Sequence, residues 1–186
     1  MSEAPPSALE QARVFFALWP DAPIQARLAD HAYELHRRLG GKLTRQESIH
    51  LTLVFLGDVA LDQLPLLQAA AAGAFFEPFS LQVEQAGCWH HNGVAWLAPR
   101  STPDALLALV RTLEAALLRA GFQLDARPYA PHITVLRKAR CQRLDLALDP
   151  VAWPVADFVL VRSQLDAGGS RYTVIGRWPD SRSKTE

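Results

Sequence analysis

Histidine and threonine recur two positions apart in two apolar settings, His50-Leu51-Thr52-Leu53 and His132-Ile133-Thr134-Val135, separated by 82 positions. In an extended strand side chains alternate between faces, so each pair shares one face while the aliphatic residues enter a core. An unperturbed imidazole titrates at about 6.5 and can act as base when neutral or as acid when protonated. Threonine hydroxyls can donate to the non-bridging oxygens of a phosphate. Two such pairs facing across a groove supply what displacement at phosphorus requires, a base and an acid on opposite sides. His50 and His132 are therefore the candidate acid/base pair, with Thr52 and Thr134 as candidate substrate-binding residues. One histidine must be neutral and the other protonated, which predicts a bell-shaped pH profile.

The fifth residue after each histidine differs: Phe55 in the first copy, Arg137 in the second. A guanidinium can clamp phosphate and an aromatic ring can stack on a base, so both are candidate substrate contacts. Strict alternation, however, puts them on the face opposite the histidine. Arg137 reaches the site only if its strand twists or ends near Leu136, and Phe55 reads as core. Arg127, Arg137, Lys138, Arg140 and Arg143 fall within 17 positions around the second motif, read as an anion site. His31 and His36 lack the i, i+4 spacing of a metal pair and read as solvated helix residues. His90 and His91 read as loop residues beside a hairpin turn. Neither motif has an adjacent carboxylate or cysteine, so no metal and no cofactor is expected. Cys88 and Cys141 match no zinc or redox spacing and read as two incidental thiols of a reduced, cytoplasmic protein.

The chain has 186 residues, 49% of them apolar, enough for one domain with a real core. With 19 basic and 19 acidic residues the net charge is zero, which excludes a global footprint for long nucleic acid. Contact with RNA would be local, at an end or a single nucleotide. Neither a signal peptide nor a membrane-length apolar run is visible, and a monomer is expected.

Strands must carry both motifs, and the sequence predicts them at Ile49–Leu56 and after Pro131. Further strands are predicted at Arg13–Trp19, Phe79–Glu84, Phe158–Leu165 and Arg171–Ile175, with a hairpin turning at Asn92-Gly93. Helices are predicted at Pro23–Leu39, Leu61–Phe76 and Pro103–Ala120. Asp166 to Ser170 reads as a turn, and residues 1–11 and 180–186 as flexible tails. The order implies one α+β domain over residues 1–186, bilobal, with two antiparallel-rich sheets lining a central cleft and helices on the outer faces. Each His-x-Thr strand follows a long helix, a weak internal duplication.

The segments His50-Leu51-Thr52-Leu53-Val54-Phe55-Leu56-Gly57 and Arg127-Pro128-Tyr129-Ala130-Pro131-His132-Ile133-Thr134-Val135 resemble the paired motifs of the 2H phosphoesterase superfamily. Within it the chain is most similar to the bacterial and archaeal RNA 2′,3′-cyclic phosphodiesterase (LigT, 2′-5′ RNA ligase-like) group. Arg13-Val14-Phe15-Phe16-Ala17-Leu18 and the stretch from Arg171 to Pro179 extend the likeness over almost the whole chain. The resemblance implies metal-free hydrolysis of RNA 2′,3′-cyclic phosphate ends, or of nucleotides bearing one, to 2′-phosphomonoesters. It implies His50 as proton donor, His132 as proton acceptor, and Thr52, Thr134 and Arg137 as substrate ligands. Lys42-Leu43-Thr44-Arg45 departs from the group, whose members often carry an aromatic there. Two alternatives compete: 2′-5′ ligation by the reverse chemistry, and a module that binds RNA ends without turnover. Water at about 55 M favours hydrolysis over ligation unless both RNA ends are held together.

Overall fold

A computed structural model describes residues 10–141, 144–166 and 169–179. The elements run β1 (Gln11–Leu18), α1 (Ala22–Leu39), β2 (Lys42–Leu43), β3 (Leu51–Ala60), α2 (Leu64–Ala72), β4 (Phe79–Trp89), β5 (Val94–Ala98), α3 (Asp104–Arg119), β6 (Ile133–Arg137), β7 (Asp145–Val155), β8 (Phe158–Asp166) and β9 (Gly169–Trp178). They form two sheets, ordered β3-β1-β8-β9 and β2-β6-β5-β4-β7, with antiparallel pairing throughout. The two His-x-Thr strands, β3 and β6, lie one in each sheet and approach one another. Helix α1 packs on the second sheet, whereas α2 and α3 pack together against the first. The expected α+β arrangement of two sheets and outer helices is what the chain adopts.

Local chemistry explains the elements. At the start of α1, Asp21 accepts a hydrogen bond from the Ile24 amide at 3.0 Å and Pro23 occupies the first turn. Gly40, at φ 61°, ends that helix. The stripe Leu28, Ala32, Leu35 and Leu39 is buried in one core with Phe16, Leu81, Leu106, Val135 and Phe158 from both sheets and α3. Alternation along β1 sends Val14, Phe16 and Leu18 into that core and Phe15 and Ala17 into a smaller cluster with Val159, Val161, Trp19 and Tyr172. That second face of β1 looks toward the site described below.

Several boundaries differ from expectation. The second strand does not stop at Gly57 but runs to Ala60, because glycine takes φ +75° and lets the strand bulge there. The helix expected over Leu61–Phe76 is a 3-10 turn followed by α2, which ends at Ala72. Strand β7 was not expected. It holds Pro150 and Pro154, tolerable because β7 is an edge strand paired only with β4. Gln11 already belongs to β1, so only residues 1–9 and 180–186 of the expected tails lie outside the described residues, as do Arg143 and Ala167-Gly168 of the closing turn. Cys88 and Cys141 are not incidental thiols. The connection from β6 to β7, the strand beside β4, carries Cys141 past the end of β4, and the two cysteines form a disulfide with Cα atoms 5.5 Å apart. Among the described residues no helix is long and apolar enough to cross a membrane.

Candidate active site

Each motif strand carries an extra residue three positions after its histidine. Ala17 pairs with Thr52 and Phe16 with Val54, which leaves Leu53 unopposed; Trp96 pairs with Thr134 and Ala95 with Leu136, which leaves Val135 unopposed. Such a bulge resets the alternation of faces. Both members of Leu53-Val54 and of Val135-Leu136 are therefore buried, and the next residues, Phe55 and Arg137, return to the face of the threonines. Phe55 is thus not core: it is 45% exposed, with the Arg13 guanidinium 4.9 Å from its ring centroid. Arg137 reaches the site through the bulge.

His50, Thr52, Phe55, His132, Thr134 and Arg137 line one cavity of about 580 Å³. Among the described residues no carboxylate lines it, and Arg13 adds a second cation. A neighbouring cavity of about 460 Å³ shares Thr52, Phe55 and His132 and is walled by Trp89, His91 and Tyr129. Among the described residues of the expected basic cluster, only Arg137 enters the main cavity. Arg127 is ion-paired with Asp125 at the second cavity, and Lys138 and Arg140 are exposed elsewhere.

The histidines are held alike. Nδ1 of His50 lies 2.7 Å from the Ser48 carbonyl oxygen, and Nδ1 of His132 lies 2.9 Å from that of Ala130. A carbonyl only accepts, so Nδ1 carries the hydrogen in both rings and Nε2 is the atom left to exchange protons. The loop before His50 is fixed by Gln25 of α1, whose buried amide donates to the Glu47 and Ile49 carbonyls. The strands are cross-tied too: the Thr44 hydroxyl donates to the Thr134 carbonyl and the Tyr129 hydroxyl to that of Thr52.

Their surroundings differ. His50 stacks on Trp19 (centroids 5.0 Å, interplanar 2°) and Phe15 (4.9 Å), and meets Tyr172 edge-on at 5.3 Å. His132 meets Trp89 edge-on at 4.6 Å. Burial pushes His50 down to about 4, opposed by the Ser48 carbonyl and reinforced by positive charge on Arg137 and His132. Burial also lowers His132, against the Ala130 carbonyl and with Arg137. Charging one imidazole disfavours charging the other, so the cavity holds one proton more readily than two.

The arrangement agrees with relatives of known fold. A family model described as the 2′-5′ RNA ligase superfamily matches residues 20–167. The chain belongs to that superfamily. It is 32% identical over 172 residues to a protein of Escherichia coli named RNA 2′,3′-cyclic phosphodiesterase, covering 91% of this chain and 97% of that protein. A Thermus thermophilus protein of the same name is 29% identical, over 89% of each. The crystal structure of E. coli LigT complexed with 3′-AMP superposes with a TM-score of 0.81 at 31% identity, covering 91% of this chain and 98% of that one.

Within this superfamily member, sequence reasoning missed Phe15, Trp19 and Tyr172 around His50, Trp89 beside His132, and Gln25 behind the loop. Only β1 carried a signal: Phe15, Ala17 and Trp19 alternate against Val14, Phe16 and Leu18, which marks a strand with two buried faces. The other histidines lie elsewhere. His31 and His36 are half-buried rather than solvated, His31 meeting the Asp149 carbonyl at 3.0 Å. His91 borders the second cavity, and His90 is exposed. Among the described residues no group of three or more His, Cys, Asp or Glu side chains is arranged to hold a metal ion.

Proposed function

We propose that this protein hydrolyses RNA 2′,3′-cyclic phosphate ends to 2′-phosphomonoesters by two-histidine acid/base chemistry without a metal. The observation that carries this reading is one cavity shared by two imidazoles, each tied through Nδ1 and presenting Nε2, with two threonines and an arginine. The names of the E. coli and T. thermophilus relatives support the same reaction class.

In this reading the phosphate lies between β3 and β6, its non-bridging oxygens held by Thr52, Thr134 and Arg137. Nε2 of neutral His132 takes a proton from water, whose oxygen forms the new bond to phosphorus. The bond from phosphorus to O3′ breaks, and Nε2–H of protonated His50 gives its proton to that oxygen. The product has a 2′-phosphate and a 3′-hydroxyl, and the two histidines exchange protons with solvent to reset. The stronger downward shift falls on His50. A lower pKa makes the protonated form of His50 the stronger acid, and the assignment of donor and acceptor follows the family resemblance. Phe55 and Trp89 border the second cavity, where a base could stack.

The test is turnover of nucleoside 2′,3′-cyclic phosphates in EDTA. His50→Ala and His132→Ala should each lose roughly 10²–10⁴ in rate. Retained activity in either variant, or dependence on added metal, overturns the mechanism.

A further inference from the structure

A third cavity, about 200 Å³, adjoins the main one and shares Arg137, Leu165, Ser170 and Tyr172 with it. Lys42 and Arg45 also line it, Arg45 with an interaction of its own, and among the described residues no carboxylate lines it. Register makes this concentration of charge more pointed. Strand β2 pairs with β6 so that Lys42 stands directly opposite Arg137. Directly opposed like charges, with Cβ atoms about 5 Å apart, disfavour an antiparallel pair. Among the described residues no carboxylate pairs with either of them. The close approach is built in. Gly41 takes φ +90°, and a Cβ there would stand 2.7 Å from the Arg137 carbonyl oxygen. The second cavity has the opposite character, with Glu114 and Asp125 in its wall and Arg127 already neutralised by Asp125.

We infer that the third cavity is a subsite for a second phosphate, the one on the 5′ carbon of the nucleotide whose cyclic phosphate occupies the main cavity. The inference rests on the reading proposed above. An RNA end that places its cyclic phosphate beside Arg137 carries its next phosphate one nucleotide away on the 5′ side. Of the two neighbouring cavities only the cationic one suits that charge. A bound anion also turns the Lys42–Arg137 opposition from repulsion into a clamp. The ligand class is a phosphate on the 5′ carbon, whether a terminal monoester or the diester linking the next nucleotide.

The experiment compares three substrates: adenosine 2′,3′-cyclic phosphate, its 5′-phosphorylated form, and the dinucleotide ApA ending in a 2′,3′-cyclic phosphate. Each is assayed with wild type, Lys42→Ala and Lys42→Arg. In wild type the two substrates with a second phosphate should have KM values about tenfold lower, the scale of one charge-assisted hydrogen bond. Lys42→Ala should erase that advantage while leaving the first substrate's kcat/KM within about twofold, and Lys42→Arg should restore most of it. Improvement of only one of the two phosphorylated substrates decides between monoester and diester as the preferred form. Equal KM values for all three in wild type, or an equal loss on all three in Lys42→Ala, overturns the subsite. Absence of turnover with all three instead overturns the proposed reaction. Thermal unfolding supplies a readout apart from activity. Removing the opposed charge in Lys42→Ala should leave Tm unchanged or raised without ligand, and a fall would mean that Lys42 is structural.

Discussion

In the proposed mechanism His50 must be protonated to act as the acid, yet burial in the free protein pushes it down to about 4 against an ordinary 6.5. At neutral pH His50 is therefore uncharged until substrate arrives. Restoring its proton against this burial costs up to about 3 kcal/mol, at 1.36 kcal/mol per pKa unit. One negative charge about 4 Å away, at an effective dielectric near 20, supplies about 4 kcal/mol, enough to favour the protonated imidazole again. Anion binding should therefore take up a proton. The probe is sulfate, which does not itself titrate in this range, studied by calorimetry at pH 6 in buffers of different ionisation heat. Close to one proton should be taken up per sulfate, and affinity should rise about tenfold per unit as pH falls from 7 to 5. His50→Gln should lose most of the uptake. The free protein should show the converse in stability. A histidine depressed on folding is neutral in both states above pH 6.5 and charges first in the unfolded chain, so stability falls as pH drops from 6.5 toward 4. The loss is at most about 3 kcal/mol, and His132 adds to it in the same direction. Sulfate binding without proton uptake, with equal affinity at pH 5 and 7, would refute the reasoning.

Trp19 lies parallel to the His50 ring at 5.0 Å, where its face favours the imidazolium. Trp19→Leu keeps the position apolar and should move the alkaline limb of the kcat profile down by about half a unit; an unmoved limb would assign the indole to packing alone. Arg137 lowers both histidines, so Arg137→Gln should raise both pKa values in an NMR titration while weakening sulfate binding roughly 10- to 100-fold. Weakened binding with unshifted histidines would place the guanidinium away from the rings. The Cys88–Cys141 bond spans 53 positions, and the chain-entropy model assigns such a loop about 4 kcal/mol. The double variant Cys88→Ser/Cys141→Ser should melt roughly 10 °C lower, and two free thiols in the unreduced, unfolded chain would contradict the cross-link.

The sequence carried most of the fold because its strongest signals were local. The apolar periodicity of α1 and α3, the Asn92-Gly93 turn and the alternation of β1 each follow from contacts within a few residues. What escaped was non-local. Strand β7 reads poorly because its two prolines are acceptable only at a sheet edge, and the edge is a property of the finished sheet. The disulfide depends on the β6–β7 connection passing the end of β4, which no cysteine spacing encodes. At the site, the paired histidines and threonines were legible as a repeat. The aromatic enclosure of His50 was not, since Phe15, Trp19 and Tyr172 come from the opposite ends of the chain.

The bulges explain why the repeat has its particular form. A regular strand puts positions 0, +2 and +4 on one face, so a contact from position +5 is out of reach. One unopposed residue at +3, Leu53 in one strand and Val135 in the other, shifts the phase and brings +5 back to the cavity. The cost is a second consecutive apolar side chain on the core face, met by Val54 and Leu136, both buried. Two strands in different sheets thus reach the same geometry, and they differ in what they deliver with it. The first presents an aromatic ring at Phe55 and encloses its histidine in three more; the second presents the positive charge of Arg137. Aromatic enclosure dries His50, and the nearby guanidinium opposes its charging, so both halves of the asymmetry depress the same imidazole. An anion lodged between the strands offsets both influences, and so in the proposed mechanism the proton needed by His50 arrives with the charge of the substrate.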